Sequence, residues 1–141
     1  MTNPFHWPVR IYWEDTDAGG VVYHANYVKF LERARTEWLR SGGIDQVDLQ
    51  QRTGLAFVVR EMGLDFMKPA RLNDELQVSV AVKQVRAASM LFAQEITRLD
   101  GSVLMRATVR IACVEMLSMR PAAIPADLFP KTLIAITGGA P

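Results

Sequence analysis

Hydrophobic positions recur along this chain with two different periods, and the change from one to the other organises everything else. Val9, Ile11 and Trp13 alternate with Arg10, Tyr12 and Glu14, the period of a half-buried strand. From Asn26 the spacing switches: Tyr27, Phe30, Leu31, Ala34 and Trp38 fall at i, i+3, i+4, i+7 and i+11, an apolar stripe of helical period. Asn26 is the expected N-cap of this helix, and Gly42-Gly43 its stop. Residues 44 to 53 are polar with scattered Ile44, Val47 and Leu49, which suits a short second helix or an ordered loop.

Period two then returns. Leu55 to Phe66 reads as one long bent strand with a bulge at Gly63. Leu76, Val78, Val80 and Val82 form a second run, and Met90, Phe92 and Ile96 a third. Asp100-Gly101 signals a hairpin into Val103, Met105, Ala107, Val109, Ile111 and Cys113, the clearest alternation in the chain. Pro121, Pro125 and Pro130 mark an irregular end, and Gly138-Gly139 a mobile one. The pattern predicts an α+β fold in which a curved antiparallel sheet packs on one central helix. Several strands are apolar on part of their second face as well, which predicts a subunit partner, most simply a two-fold dimer.

Length and composition narrow the class. With 141 residues the chain fits one domain, read here as residues 1–141 with a core from about 9 to 125. Hydrophobic residues at 50% and charged residues at 22% exclude the composition of a disordered chain. A net charge of +1 provides no global field for nucleic acid or an anionic membrane. No apolar run approaches a membrane span, and MTNPFHWPVR lacks a secretory signal's apolar segment. Cys113 is the only cysteine, which rules out an internal disulfide and suits a reducing compartment, so the cytoplasm is the expected location.

Chemistry concentrates where the first strand breaks into the helix. Asp15 and Asp17 are suited to cap the helix and complement its dipole, or to act as a general base or nucleophile. His24 is either a packed or capping residue or a proton carrier beside those carboxylates. Gly19 and Gly20 turn the chain; they also let a substrate approach the backbone, where free N–H groups at a helix start stabilise an oxyanion. Their spacing matches neither nucleotide-binding glycine motif, no serine-hydrolase elbow exists, and no metal-ligand spacing is present. No metal and no cofactor are expected.

The stretch YWEDTDAGGVVYHANYVKFLERARTEWLR resembles the signature of the hotdog-fold thioesterases of the 4-hydroxybenzoyl-CoA thioesterase type. It is most similar to the acyl-CoA thioesterases associated with the Tol–Pal system of Gram-negative bacteria. DFMKPARLNDEL and RPAAIP extend the similarity from about Val9 to Pro125. The resemblance implies a helix wrapped by a five- or six-stranded antiparallel sheet, assembled as a homodimer and often a homotetramer. It also implies hydrolysis of a CoA or acyl-carrier-protein thioester without a metal, with a non-hydrolytic acyl-thioester binding module as the alternative. Asp17 matches the family's catalytic aspartate, as nucleophile or general base, and His24 a histidine implicated in the Tol–Pal group. Substrate-binding candidates are Gly19, Gly20, Val21, Tyr23 and Asn26, around the backbone donors at the helix start. Relatives tend to carry tyrosine where Trp13 stands, so a phenol is absent from that position.

Overall fold

The computed structural model describes residues 5–130 and 133. The Gly138-Gly139 end lies outside them. The elements run β1 (Phe5–Arg10), a one-turn 3₁₀ helix (Trp13–Asp15), α1 (His24–Ser41), α2 (Gln46–Thr53), β2 (Leu55–Phe66), β3 (Glu75–Val85), β4 (Ser89–Arg98), β5 (Val103–Glu115) and the two-residue β6 (Arg120–Pro121). All strand pairs are antiparallel, in the order β1-β3-β4-β5-β2, with β6 adding to the end of β5. The buried face carries Val78, Val80, Val82, Phe92, Ile96, Met105 and Val109, and α1 meets it with Phe30, Leu31, Ala34 and Trp38. The α+β arrangement expected from the alternation, one long helix against a curled antiparallel sheet, is the one observed.

Three local expectations are corrected. First, β1 lies earlier than the alternation suggested and contains Pro8, which an edge strand tolerates because its missing N–H costs no ladder bond. Beyond Arg10 the side chains close a turn on themselves: the Tyr12 N–H donates to Asp15 Oδ2 at 2.8 Å and the Thr16 hydroxyl to Trp13 O at 2.8 Å. Such local bonds compete with a sheet ladder and win here, leaving Trp13 80% exposed.

Second, α1 begins at His24, and Tyr23, not Asn26, is its N-cap residue. Asn26 is drawn inside the helix because its side-chain amide donates to Asp15 O at 3.0 Å. The stop is as expected: the Ile44 N–H reaches Leu39 O at 3.0 Å across Gly43, whose φ of 80° a side chain would strain.

Third, the register of β2 slips between Val59 and Glu61, not at Gly63. Gly63 pairs regularly with Thr108, and a Cβ there would lie 2.9 Å from Thr108 Oγ1, so the glycine permits close approach across the ladder.

β2 does not pair with β3, which follows it in sequence; it crosses to the far side of β5. The connection, residues 67 to 74, is held over the start of α1 by bonds from Met67 N–H and Lys68 N–H to Leu104 O and from Ala70 N–H to the Tyr27 hydroxyl. This crossover brings a second loop against the acidic turn.

Candidate active site

The turn before α1 is built almost entirely from backbone hydrogen bonds. Asp15 is its hub: its C=O accepts from Tyr23 N–H at 2.9 Å and from the Asn26 amide at 3.0 Å, while its carboxylate holds Tyr12 N–H. Its Oδ1 has no partner among the described residues, so it is the backbone C=O of this half-buried residue, with its two donors, that gives Asp15 a structural task. Asp17 is placed differently. Its N–H donates to Val21 O at 2.9 Å and its C=O accepts from Gly20 N–H at 3.0 Å, closing a tight turn. Its Oδ1 accepts Gly19 N–H at 2.8 Å, and Oδ2 has no protein partner among the described residues.

Both glycines have a definable reason. Gly20 adopts φ 80°, the left-handed region, and a Cβ at Gly19 would press within 3.2 Å of Asp17 Oδ1. Val21 is half-buried and bridges Arg71 across the turn. Tyr23 and His24 stand exposed at the helix start with ring centroids 4.6 Å apart. Among the described residues no hydrogen bond joins His24 to Asp17: Asp17 sits in the tight turn closed by Val21 and His24 opens α1, with no direct link between them. No partner is found for the N–H groups of His24 and Ala25 among the described residues, as the first turn of a helix requires when no side chain caps it. Among the described residues, an exposed carboxylate oxygen without a partner thus lies in the turn that precedes the uncapped amides of the α1 N-terminus. Carbonyl chemistry can use both.

A family profile described as the Thioesterase-like superfamily matches residues 11–131. The chain belongs to that superfamily. The chain is 46% identical over 127 residues to the acyl-CoA thioester hydrolase YbgC of Escherichia coli O6:H1, covering 90% of this chain and 94% of the relative. A probable thioesterase from Bartonella henselae superimposes with TM-score 0.82 at 34% identity, covering 86% of this chain and 99% of that one. A 1,4-dihydroxy-2-naphthoyl-CoA thioesterase from Synechocystis superimposes with TM-score 0.84 at 25% identity, covering 94% and 96%. The hotdog fold of these thioesterases is thus the fold of this chain.

In this thioesterase-like chain two further polar features lie deeper along α1. Arg35 is buried, donating from Nη1 to Gln94 Oε1 at 2.9 Å, and the Gln94 amide donates to Leu31 O at 3.1 Å. Burial lowers the Arg35 pKa to about 10, with the Glu32 charge acting in the opposite sense. Beside it a cavity of about 100 Å³ is lined by Glu32, Arg35, Leu39, Phe57, Phe92 and Phe129. Neither residue is among the sequence candidates, although the signal is present: Arg35 falls four residues after Leu31 on the apolar stripe, and Gln94 stands between Phe92 and Ile96 on the buried parity of β4. The Tyr27 hydroxyl is likewise absent from those candidates, because Tyr27 falls on the apolar stripe. No group of three or more His, Cys, Asp or Glu side chains that could hold a metal ion occurs among the described residues.

Proposed function

We propose that the chain hydrolyses acyl-CoA thioesters to free acid and CoA, with Asp17 as the reacting carboxylate. The observation that carries this is the exposed Asp17 carboxylate itself, fixed through Oδ1 by Gly19 N–H and without a partner at Oδ2 among the described residues, on a turn that leads into the first-turn amides of α1, which likewise have no partner among those residues. Its likeness to YbgC, an acyl-CoA thioester hydrolase, supports the substrate class.

The thioester carbonyl oxygen accepts from the N–H groups of His24 and Ala25, where the helix dipole favours negative charge. Asp17 then acts in one of two ways. As general base it takes a proton from water while the water oxygen bonds to the acyl carbon; the C–S bond breaks and the CoA thiolate leaves, protonated in turn. As nucleophile its oxygen bonds to the acyl carbon, expels the thiolate and forms an anhydride that water cleaves. His24 orients substrate or carries the proton to the sulfur. Gly19, Gly20, Val21, Tyr23 and Asn26 frame the carbonyl and the pantetheine arm. Arg35 follows His24 by 11 residues, about three turns, so the cavity beside it faces the same side of α1 and offers room for an acyl group.

The enzyme is proposed to work in the cytoplasm as a homodimer, with dimers pairing into a homotetramer. The exposed Val59, Leu64 and Phe66 on the edge strand β2 support a second copy there. No helix among the described residues is long and apolar enough to cross a membrane.

The test is a panel of short, long and aromatic acyl-CoA thioesters assayed for free-thiol release. Turnover by the wild type and its near-loss in Asp17→Asn, at unchanged far-UV circular dichroism, are expected. Tight acyl-CoA binding without thiol release would instead identify a binding module.

A further inference from the structure

Ala70, in the connection between β2 and β3, is fully buried, and its two backbone groups are bonded one to α1 and one to the segment between Asp17 and α1. Its N–H donates to the Tyr27 hydroxyl at 3.0 Å, and its C=O accepts from Val22 N–H at 2.9 Å. Arg71 bridges Val21, and Val21 O in turn accepts Asp17 N–H at 2.9 Å. One hydrogen-bonded path therefore runs from the first turn of α1, through Ala70, to the backbone of Asp17.

The two ends of that path differ in how they are held. Tyr27 is buried, its ring edge-on to Phe30 and Phe66 with centroids 6.3 and 5.5 Å away, so its hydroxyl is a fixed point. Asp17 is exposed, in a turn with no apolar packing of its own. The connection between them is braced from behind: Arg98 Nη2 donates to Pro69 O at 2.8 Å and to Asp74 Oδ2 at 3.2 Å, and Asp74 Oδ2 accepts Arg71 N–H at 2.8 Å.

Reaction at a carbonyl held by the helix amides requires the attacking oxygen at a set distance from them, and a displacement of about 1 Å is enough to cost about 100-fold in rate. We propose that Tyr27 is a positioning residue for the hydrolysis: acting through Ala70, its hydroxyl sets the separation between the Asp17 carboxylate and the amides at the start of α1. This rests on the reading of Asp17 as the reacting carboxylate. Arg98 supports the same loop from the opposite side.

Tyr27→Phe keeps the ring and removes only the acceptor of Ala70 N–H. The expected result is a kcat lowered about 10- to 100-fold with KM changed less than about threefold. In an Asp17→Asn background the same substitution should cause no further loss, because the group it positions is gone. A core role alone would lower the melting temperature and leave kcat of the folded enzyme untouched. Wild-type kcat in Tyr27→Phe, a change confined to KM, or an equal loss in both backgrounds would each overturn the proposal. Should Tyr27→Phe fail to fold, Arg98→Gln takes its place: lowered kcat, partly restored in Arg98→Lys, is expected, and unchanged kcat overturns the proposal. Full activity of Asp17→Asn would remove the reading beneath it and the proposal together, whereas an inactive Asp17→Asn with a normal Tyr27→Phe removes the proposal alone.

Discussion

The two ends of α1 are held by different physics. At the C-terminal end Trp38 lies fully buried, its ring 5.3 Å from Phe92 and 5.8 Å from Phe129, and Leu133 closes over Gly42. At the N-terminal end His24, Ala25 and the Asp17 turn are exposed, and order comes from Asp15, Val21 and Ala70 through backbone hydrogen bonds. Packing immobilises a segment by consuming its side chains. Backbone bonding immobilises it while leaving side chains and some amides free, which is what a reacting centre needs.

Substitutions at the two ends should therefore separate stability from catalysis. The largest stability effect is expected at the packed end: Trp38→Ala should cost about 3–5 kcal/mol in urea unfolding while kcat per folded molecule stays unchanged. A fall in kcat per folded molecule would dissolve the distinction. At the open end Asp17→Asn should lower kcat by about 10²–10³, with the urea midpoint unmoved. An unaltered kcat with a lower midpoint would invert the assignment. Between the ends, Gln94→Leu removes the acceptor of the buried Arg35 guanidinium and should cost about 2 kcal/mol. No measurable cost would mean that water in the adjacent cavity replaces the amide. Smallest of all, Asp15→Asn retains an oxygen for Tyr12 N–H and should change stability by about 0.5 kcal/mol or less with kcat little altered. A loss matching that of Asp17→Asn would exchange the roles of the two carboxylates.

Much of this was legible before any coordinates. Tyr27, Phe30, Leu31, Ala34 and Trp38 are all buried, as a stripe of helical period must be when it faces a sheet. The run from Val103 to Cys113 is a strand because period-two alternation can bury only one face in that conformation. What misled was alternation without a partner. Val9, Ile11 and Trp13 share a strand's period, yet the chain leaves the sheet after Arg10, because the Asp15 carboxylate and the Thr16 hydroxyl supply bonds that a count of apolar positions ignores. Asn26 misled for a related reason: its amide has a tertiary partner in Asp15 O, which overrides its local preference for a helix cap.

Local pattern specifies the elements with strong periods, the helix stop at Gly42-Gly43, the acidic turn and the resemblance that singles out Asp17 and His24. These depend on contacts near in sequence or on a motif that one segment carries whole. Contacts between distant segments place β2 at the far edge beside β5, tie Tyr27 to Val22 through Ala70, and bring Arg35 to Gln94 in the core. The last of these pairs is 59 residues apart, and no local pattern specifies which distant groups a folded chain will bring within hydrogen-bonding reach. Of the two carboxylates in the turn, periodicity saw equals. Each carboxylate accepts a single N–H among the described residues; what distinguishes them is that the half-buried Asp15 also carries Tyr23 and Asn26 on its backbone C=O, whereas Asp17 is exposed on the tight turn it closes.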